Sequence, residues 1–235
     1  MEKTAILIDG GFLLKRLPTI QPDSDVTDPE AVATAISKLV STHLNHQNAL
    51  FNMPRARALL YRVFYYDAVP YAGKTQLPIS KQPLDYSKTD AAIFRTKLHE
   101  KLRHKANTAV RLGEVRKERN WILSEVAQKQ LLAGRKTVAD LTDDDFFAGL
   151  RQKAVDMRIG LDIASITLKR QASTIVLVSG DSDFVPAAKL ARREGVKVVL
   201  DPLWNSVAPS LFEHIDGVFS GFPKPKPKNP PPSAP

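Results

Sequence analysis

Thr174-Ile175-Val176-Leu177-Val178-Ser179-Gly180-Asp181-Ser182-Asp183-Phe184 is the most informative stretch of this chain, together with the run that follows it to Leu200. The apolar run Thr174 to Val178 predicts a buried strand. Phe184 to Arg193 predicts a helix ended by Gly195, and Val196 to Leu200 the next strand. Strand, helix and strand in this order make a βαβ unit, which implies a parallel sheet. In open parallel sheets, ligands bind beyond the carboxyl ends of the strands. Asp181 and Asp183 stand at one such end.

The first strand shows the same arrangement. Thr4 to Ile8 is a short apolar run, and Asp9 follows it directly in Ile8-Asp9-Gly10-Gly11-Phe12. Both acidic clusters share one edge if the two strands are parallel neighbours. Between them the chain alternates. Helices are predicted over Pro29 to His46, Thr89 to Lys105, Leu123 to Ala133 (ending near Gly134) and Val155 to Lys169. Asn205 to His214 predicts a closing helix, and Thr142 is a candidate cap for another. Ala58 to Tyr66 predicts a second strand. Thr108 to Ile122 predicts a further strand with the option of a hairpin. Asp67 to Ser87 holds three prolines and a glycine and predicts a long loop. The expected fold class is α/β, with a central, mainly parallel sheet. Residues 1–221 are expected to form the domain. Residues 222–235, with seven prolines and Lys224, Lys226 and Lys228, read as an extended or disordered tail.

Composition narrows the classes. The 235 residues are 43% hydrophobic, enough for one sizeable core. No run approaches ~18 apolar residues, and the N-terminus lacks the pattern of a signal peptide. The chain has no cysteine, which excludes disulfides, thiol nucleophiles and cysteine-ligated zinc and fits a cytoplasmic protein. A net charge of +9 favours a polyanionic partner over mere solubility. Nine Lys or Arg against three Glu lie between Arg95 and Arg119. Arg95, Lys97, Arg103, Lys105 and Arg111 are the candidate nucleic-acid-backbone contacts, and a solvated helix face explains them equally well. Tyr65, Tyr66, Tyr71 and Trp121 are candidate base-stacking rings, although core packing suits at least two of them better.

Three carboxylates at one edge repel one another unless a cation lies between them. Hard oxygen donors without His or Cys suit Mg²⁺ or Mn²⁺. Taken alone, Asp183 is better explained as a helix cap and Asp9 as a turn residue; together they favour a metal site. Gly10, Gly11 and Gly180 shape the turns after the strands. Ser179 either orients a carboxylate or phosphate or, more simply, closes a turn. Asp156 and Asp162 are six residues apart, about 240° around a helix, so they do not share a face. Asp156 suits a helix start as well as a site.

Ile8-Asp9-Gly10, Lys153-Ala154-Val155-Asp156 with Asp162, and Leu177 to Phe184 resemble, in order and spacing, the NYN domain. This is a branch of the PIN-like nucleases that includes the LabA-like bacterial proteins. Glu194-Gly195-Val196-Lys197-Val198 resembles the next strand of that family, and the likeness spans Lys3 to Phe219. It implies a Rossmann-like, PIN-like three-layer α/β sandwich and a metal-dependent endoribonuclease that hydrolyses RNA phosphodiester bonds. It also implies a catalytic and Mg²⁺- or Mn²⁺-binding set of Asp9, Asp156, Asp181 and Asp183, with Asp162 at a further acidic position. Ala154 replaces the usual glycine, and the stretches Asp67 to Ser87 and Arg119 to Asp145 match loosely. A haloacid-dehalogenase-like phosphatase is the weaker rival, because Gly11 stands where its second acid belongs. The stronger alternative is a non-catalytic RNA- or protein-binding regulator on the same fold. Oligomeric state stays open between monomer and homodimer.

Overall fold

Alternation along the first strand, β1 (Thr4–Asp9), sets the layers of the domain. Ala5 and Leu7 face one side and Ile6 and Ile8 the other, and all four are fully buried. A strand buried on both faces needs helices on both. The computed structural model describes residues 2–51 and 59–225. The expectations for Ala58 and for the proline-rich tail beyond residue 225, with Lys226 and Lys228, lie outside the described residues.

Helix α1 (Gly10–Ile20) leaves directly from β1, capped by Asp9. No helix is predicted there, because Gly10, Gly11 and Pro18 argue locally against one. Burial of Leu13, Leu17 and Ile20 along one side overrides that preference. Helix α2 (Pro29–Phe51) and strand β2 (Leu60–Ala68) follow as expected, both running further than the sequence suggests. The long segment after β2 is not bare loop. It holds a small hairpin of β3 (Lys74–Gln76) and β4 (Pro83–Asp85). Thr89 then caps helix α3 (Asp90–Arg103), its hydroxyl accepting from the Ala92 N–H.

Strand β5 (Thr108–Leu123) has two halves. Thr108 to Gly113 pairs in parallel with β2, and Glu114 to Leu123 pairs antiparallel with β6 (Phe146–Lys153). Helix α4 (Glu125–Leu132) tips this ribbon, with Gly134 at φ 68° beyond it. Thr142 heads only a single turn, Asp143–Asp145, because the chain must enter β6 at once; the helix predicted there is absent. The β3–β4 hairpin props the ribbon. Trp121 Nε1 donates to the Gln76 carbonyl at 3.0 Å, and Asp143 accepts from the Ile79 and Ser80 N–H groups.

Helix α5 (Val155–Leu168), strand β7 (Thr174–Val178), helix α6 (Val185–Arg193) and strand β8 (Lys197–Asp201) form the predicted βαβ region. The predicted Asn205 to His214 helix shrinks to α7 (Pro209–Phe212), and β9 (Gly217–Val218) closes the sheet. Phe222, read from sequence as the start of the tail, is buried in the core.

The seven-stranded sheet runs β6-β5-β2-β1-β7-β8-β9, with only the β5–β6 pair antiparallel. One core joins the sheet to α1, α2 and α3 through Leu13, Leu17, Ile36, Leu39, Leu98 and Leu102. The other joins it to α5 and α6 through Ile159, Ile163, Ile166 and Ala188. This is the predicted three-layer α/β sandwich. From β1 the chain first builds outward through β2, then returns to add β7 on the other side. The topological switch point therefore lies between β1 and β7. Among the described residues, no helix is long and apolar enough to cross a membrane.

Candidate metal-binding cleft at the switch point

Ile8 pairs with Val178, so Asp9 and Ser179 are level at the ends of neighbouring strands. A cleft of about 640 Å³ opens above them. Asp9, Asp156 and Asp181 line it, each delivered by a different element. Asp9 ends β1 and caps α1, its Oδ1 accepting from the Phe12 N–H at 3.0 Å. Gly10 makes that abrupt strand-to-helix turn possible, because a Cβ there would lie 2.6 Å from the Tyr65 ring and the Tyr66 carbonyl. Asp156 is exposed in the first turn of α5. Asp181 follows β7, with its N–H donating to Ser179 Oγ and its Oδ1 accepting from the Asp183 N–H. Ser179 thus does close the turn, and Gly180 sits against the Phe12 ring, 2.8 Å from an added Cβ.

The carboxylates feel one another. Burial raises the pKa of Asp9, offset in part by the Phe12 N–H, and the charge of Asp156 raises it further. Asp156 is also raised, by partial burial and then by Asp181 and Asp183. Asp183 does not line the cleft; it is exposed and acts on Asp156 at a distance. Asp162 is on another face of α5, as the spacing requires. It accepts from the Tyr66 hydroxyl at 2.9 Å and pairs with Arg111 at 3.2 Å.

The donor set suits a hard divalent cation. It offers carboxylate oxygens in a polar, open cleft, and their mutual repulsion is relieved by positive charge. Among the described residues, no three His, Asp or Glu side chains are grouped closely enough to hold a metal ion by themselves.

Several residues of this edge escape a reading of the sequence. Asp67, fully buried near the end of β2, hydrogen-bonds with His99 at 2.9 Å and forms a close ion pair with Arg95. Burial would raise its pKa. The His99 hydrogen bond, the Arg95 charge and the Ala68 N–H outweigh this and hold it below the ordinary carboxylate value. Gln152 of β6 lines the cleft and donates to Asp67 Oδ1 at 3.4 Å. The signal for Asp67 was present: like Asp9, it lies at a strand's carboxyl end.

Lys15 and Arg16 of α1 also line the cleft. Arg16 is engaged by the Leu203 carbonyl, whereas Lys15 is exposed and forms no ion pair among the described residues. Asn205 reaches the cleft after two consecutive left-handed residues, Leu203 (φ 48°) and Trp204 (φ 61°). Buried Asp201 holds that bend by accepting from the Leu203 N–H and the Gly221 N–H, and it hydrogen-bonds with His43 at 2.7 Å.

The basic segment is dispersed. Helix α3 leads from the carboxyl end of β2 to the amino end of β5. Arg95, in its second turn, is taken by Asp67 near the cleft. Lys97 is exposed, and Arg103 ends the helix toward the opposite edge. Lys105 donates to the Ala33 carbonyl and to Ser37 of α2. Arg111 lies over the Phe64 ring beside Asp162. Tyr65 and Tyr66 are core residues with no exposure.

Residues 3–216 match the NYN domain family. Among curated proteins nothing matches the chain. A solved protein of unknown function from Vibrio parahaemolyticus is similar at 16% identity, over 94% of this chain and 95% of that one, with a TM-score of 0.44.

Proposed function

This chain belongs to the NYN domain family, within the PIN-like nuclease superfamily, and from that premise we propose that it is a metal-dependent endoribonuclease. The observation that carries this reading is the meeting of Asp9, Asp156 and Asp181 in one cleft at the switch point. The three ordered sequence blocks support placement in the LabA-like branch. In this reading Asp9, Asp156 and Asp181 hold Mg²⁺ or Mn²⁺, with Asp183 adding negative charge behind them. A divalent cation held there would supply positive charge to the phosphoryl oxygens and would lower the pKa of water.

The chain's own groups do the rest. Asp9 is fixed by the Phe12 N–H, and Asp181 by the turn through Asp183, so both carboxylates are oriented in advance. Lys15 supplies a cation to a substrate phosphate at the rim, and Asn205 and Gln152 supply neutral polar contacts. Lys97, Arg103 and Arg111 extend phosphate contact over the surface.

A second reading, a non-catalytic RNA- or protein-binding regulator, draws on the finding that no three acidic or histidine side chains among the described residues are grouped as a metal centre. Incubating the purified protein with structured and unstructured RNA in Mn²⁺, Mg²⁺ or EDTA separates the two. Metal-dependent internal cleavage is expected; RNA left intact in every metal while still bound by the protein would favour the regulator.

A further inference from the structure

After β8 the backbone takes an unusual path. Leu203 (φ 48°) and Trp204 (φ 61°) are consecutive left-handed residues, and neither is glycine. This conformation is strained outside glycine, most of all for a bulky side chain. A turn that needed only this path would be served by glycine or asparagine. A tryptophan kept there calls for a reason beyond the turn.

The bend is held from several sides. Asp201 Oδ1 accepts from the Leu203 N–H at 2.8 Å, and the Leu203 carbonyl accepts from Arg16 Nε and Nη2. The Trp204 indole Nε1 donates to the Phe222 carbonyl at 2.7 Å. That bond pins one edge of the indole, yet Trp204 is 43% exposed. With its N–H taken, the indole can still offer an aromatic face. A ring fixed in advance loses little freedom when a ligand lies on it.

Its position identifies the ligand. Asp201 is level with Val178, so the bend leaves the sheet at the same edge as Asp9 and Asp181. Asn205, the next residue, lines the acidic cleft, and so does Arg16, which grips the Leu203 carbonyl. Trp204 therefore stands at the rim of the cleft, close to the exposed cation Lys15 in its wall. Cations that track a phosphate backbone beside an aromatic face are the features that bind single-stranded nucleic acid.

We infer that Trp204 stacks on one unpaired base of a single-stranded RNA, on a nucleotide adjoining the phosphodiester held in the acidic cleft. The inference rests on the nuclease reading for what occupies the cleft, and its test does not depend on cleavage. Trp121 and Trp204 are the two tryptophans of the chain, so Trp121→Phe leaves Trp204 as the sole emitter. This full-length variant is mixed with a short labelled single-stranded RNA in Mg²⁺. Its emission is read at once, and binding is followed separately by anisotropy of the label. Trp204 should be quenched in step with binding, and a strand of equal length without bases should bind without quenching.

In the otherwise wild-type chain, Trp204→Leu should weaken RNA binding at least about fivefold, the lower end of stacking contributions. The log–log salt slope should stay unchanged, because no phosphate contact is lost. Emission that stays constant while RNA is bound would overturn the inference, as would equal quenching by the strand without bases. RNA cleavage in Mn²⁺ beside an unresponsive Trp204 would sink this inference and spare the nuclease reading. Quenching in a protein that leaves every RNA intact would do the reverse.

Discussion

Ala154 holds a left-handed backbone, φ 64°, two residues ahead of Asp156, and so turns the chain from β6 into the helix that presents the carboxylate. Outside glycine this conformation costs about 1 kcal/mol or more. Ala154→Gly should therefore stabilise the protein by about 0.5 kcal/mol, since greater freedom of glycine in the unfolded chain offsets part of the relief. Urea denaturation of both forms would show it, and a loss of stability would contradict the strain.

Asp181→Asn should leave the fold intact and lower metal-dependent RNA cleavage by about a hundredfold or more, the scale for losing one preorganised electrostatic group. Removing one charge also relieves repulsion on Asp156, whose pKa Asp181 raises. The metal-free variant should melt no lower than wild type, and its gain in melting temperature on adding Mn²⁺ should shrink. A variant that cuts RNA at the wild-type rate would remove Asp181 from the site.

Arg95→Ala should destabilise the protein by about 2–3 kcal/mol at neutral pH. It strips the arginine cation from a fully buried carboxylate and leaves His99, the Ala68 N–H and Gln152 as its hydrogen-bond partners. Asp67 has a lowered pKa in the fold, so its contribution is present above the unfolded value near ~3.9 and is lost as pH falls through the folded value. The gap between wild type and variant should accordingly narrow below about pH 4. Denaturation at pH 7 and at pH 3.5 would show a constant gap if the Asp67 charge were irrelevant.

Lys15→Ala should flatten the salt dependence of single-stranded RNA binding, lowering the log–log slope by about 0.7 for one lost phosphate contact. Arg103→Ala, at the other end of α3, is the informative comparison. An equal loss in both is the outcome expected if phosphate contact extends from the cleft to Arg103, as proposed, and a loss confined to Lys15 would restrict the RNA to the cleft. A loss confined to Arg103 would move the binding face away from it.

The sequence makes the acidic edge legible because Asp9 and Asp181 follow apolar strands, where side-chain chemistry and backbone position coincide. The parallel sheet follows from the same strands. Helix α1 was hidden because its two glycines and Pro18 speak against helix locally, and only the core contacts of Leu13 and Leu17 decide for it. The helix expected over Asn205 to His214 is cut to α7, and nothing local in the sequence reports the left-handed bend at Leu203 and Trp204 before it, which buried Asp201 enforces. Arg95 looked like a surface cation because its partner, Asp67, stands 28 residues earlier in the chain. Pairings of that range leave no periodic trace.

The outer β5–β6 ribbon leans on the β3–β4 hairpin through Trp121, Lys117 and Asp143. A two-stranded ribbon is marginal by itself in water, and the small hairpin is shorter still. Each is the other's missing layer. Deleting the hairpin would leave the Trp121 indole without its acceptor, and deleting the ribbon would strand the hairpin over solvent. The two excursions from the sheet thus form one appendage assembled from distant parts of the chain. A truncated form is expected to tolerate the loss of both far better than the loss of either.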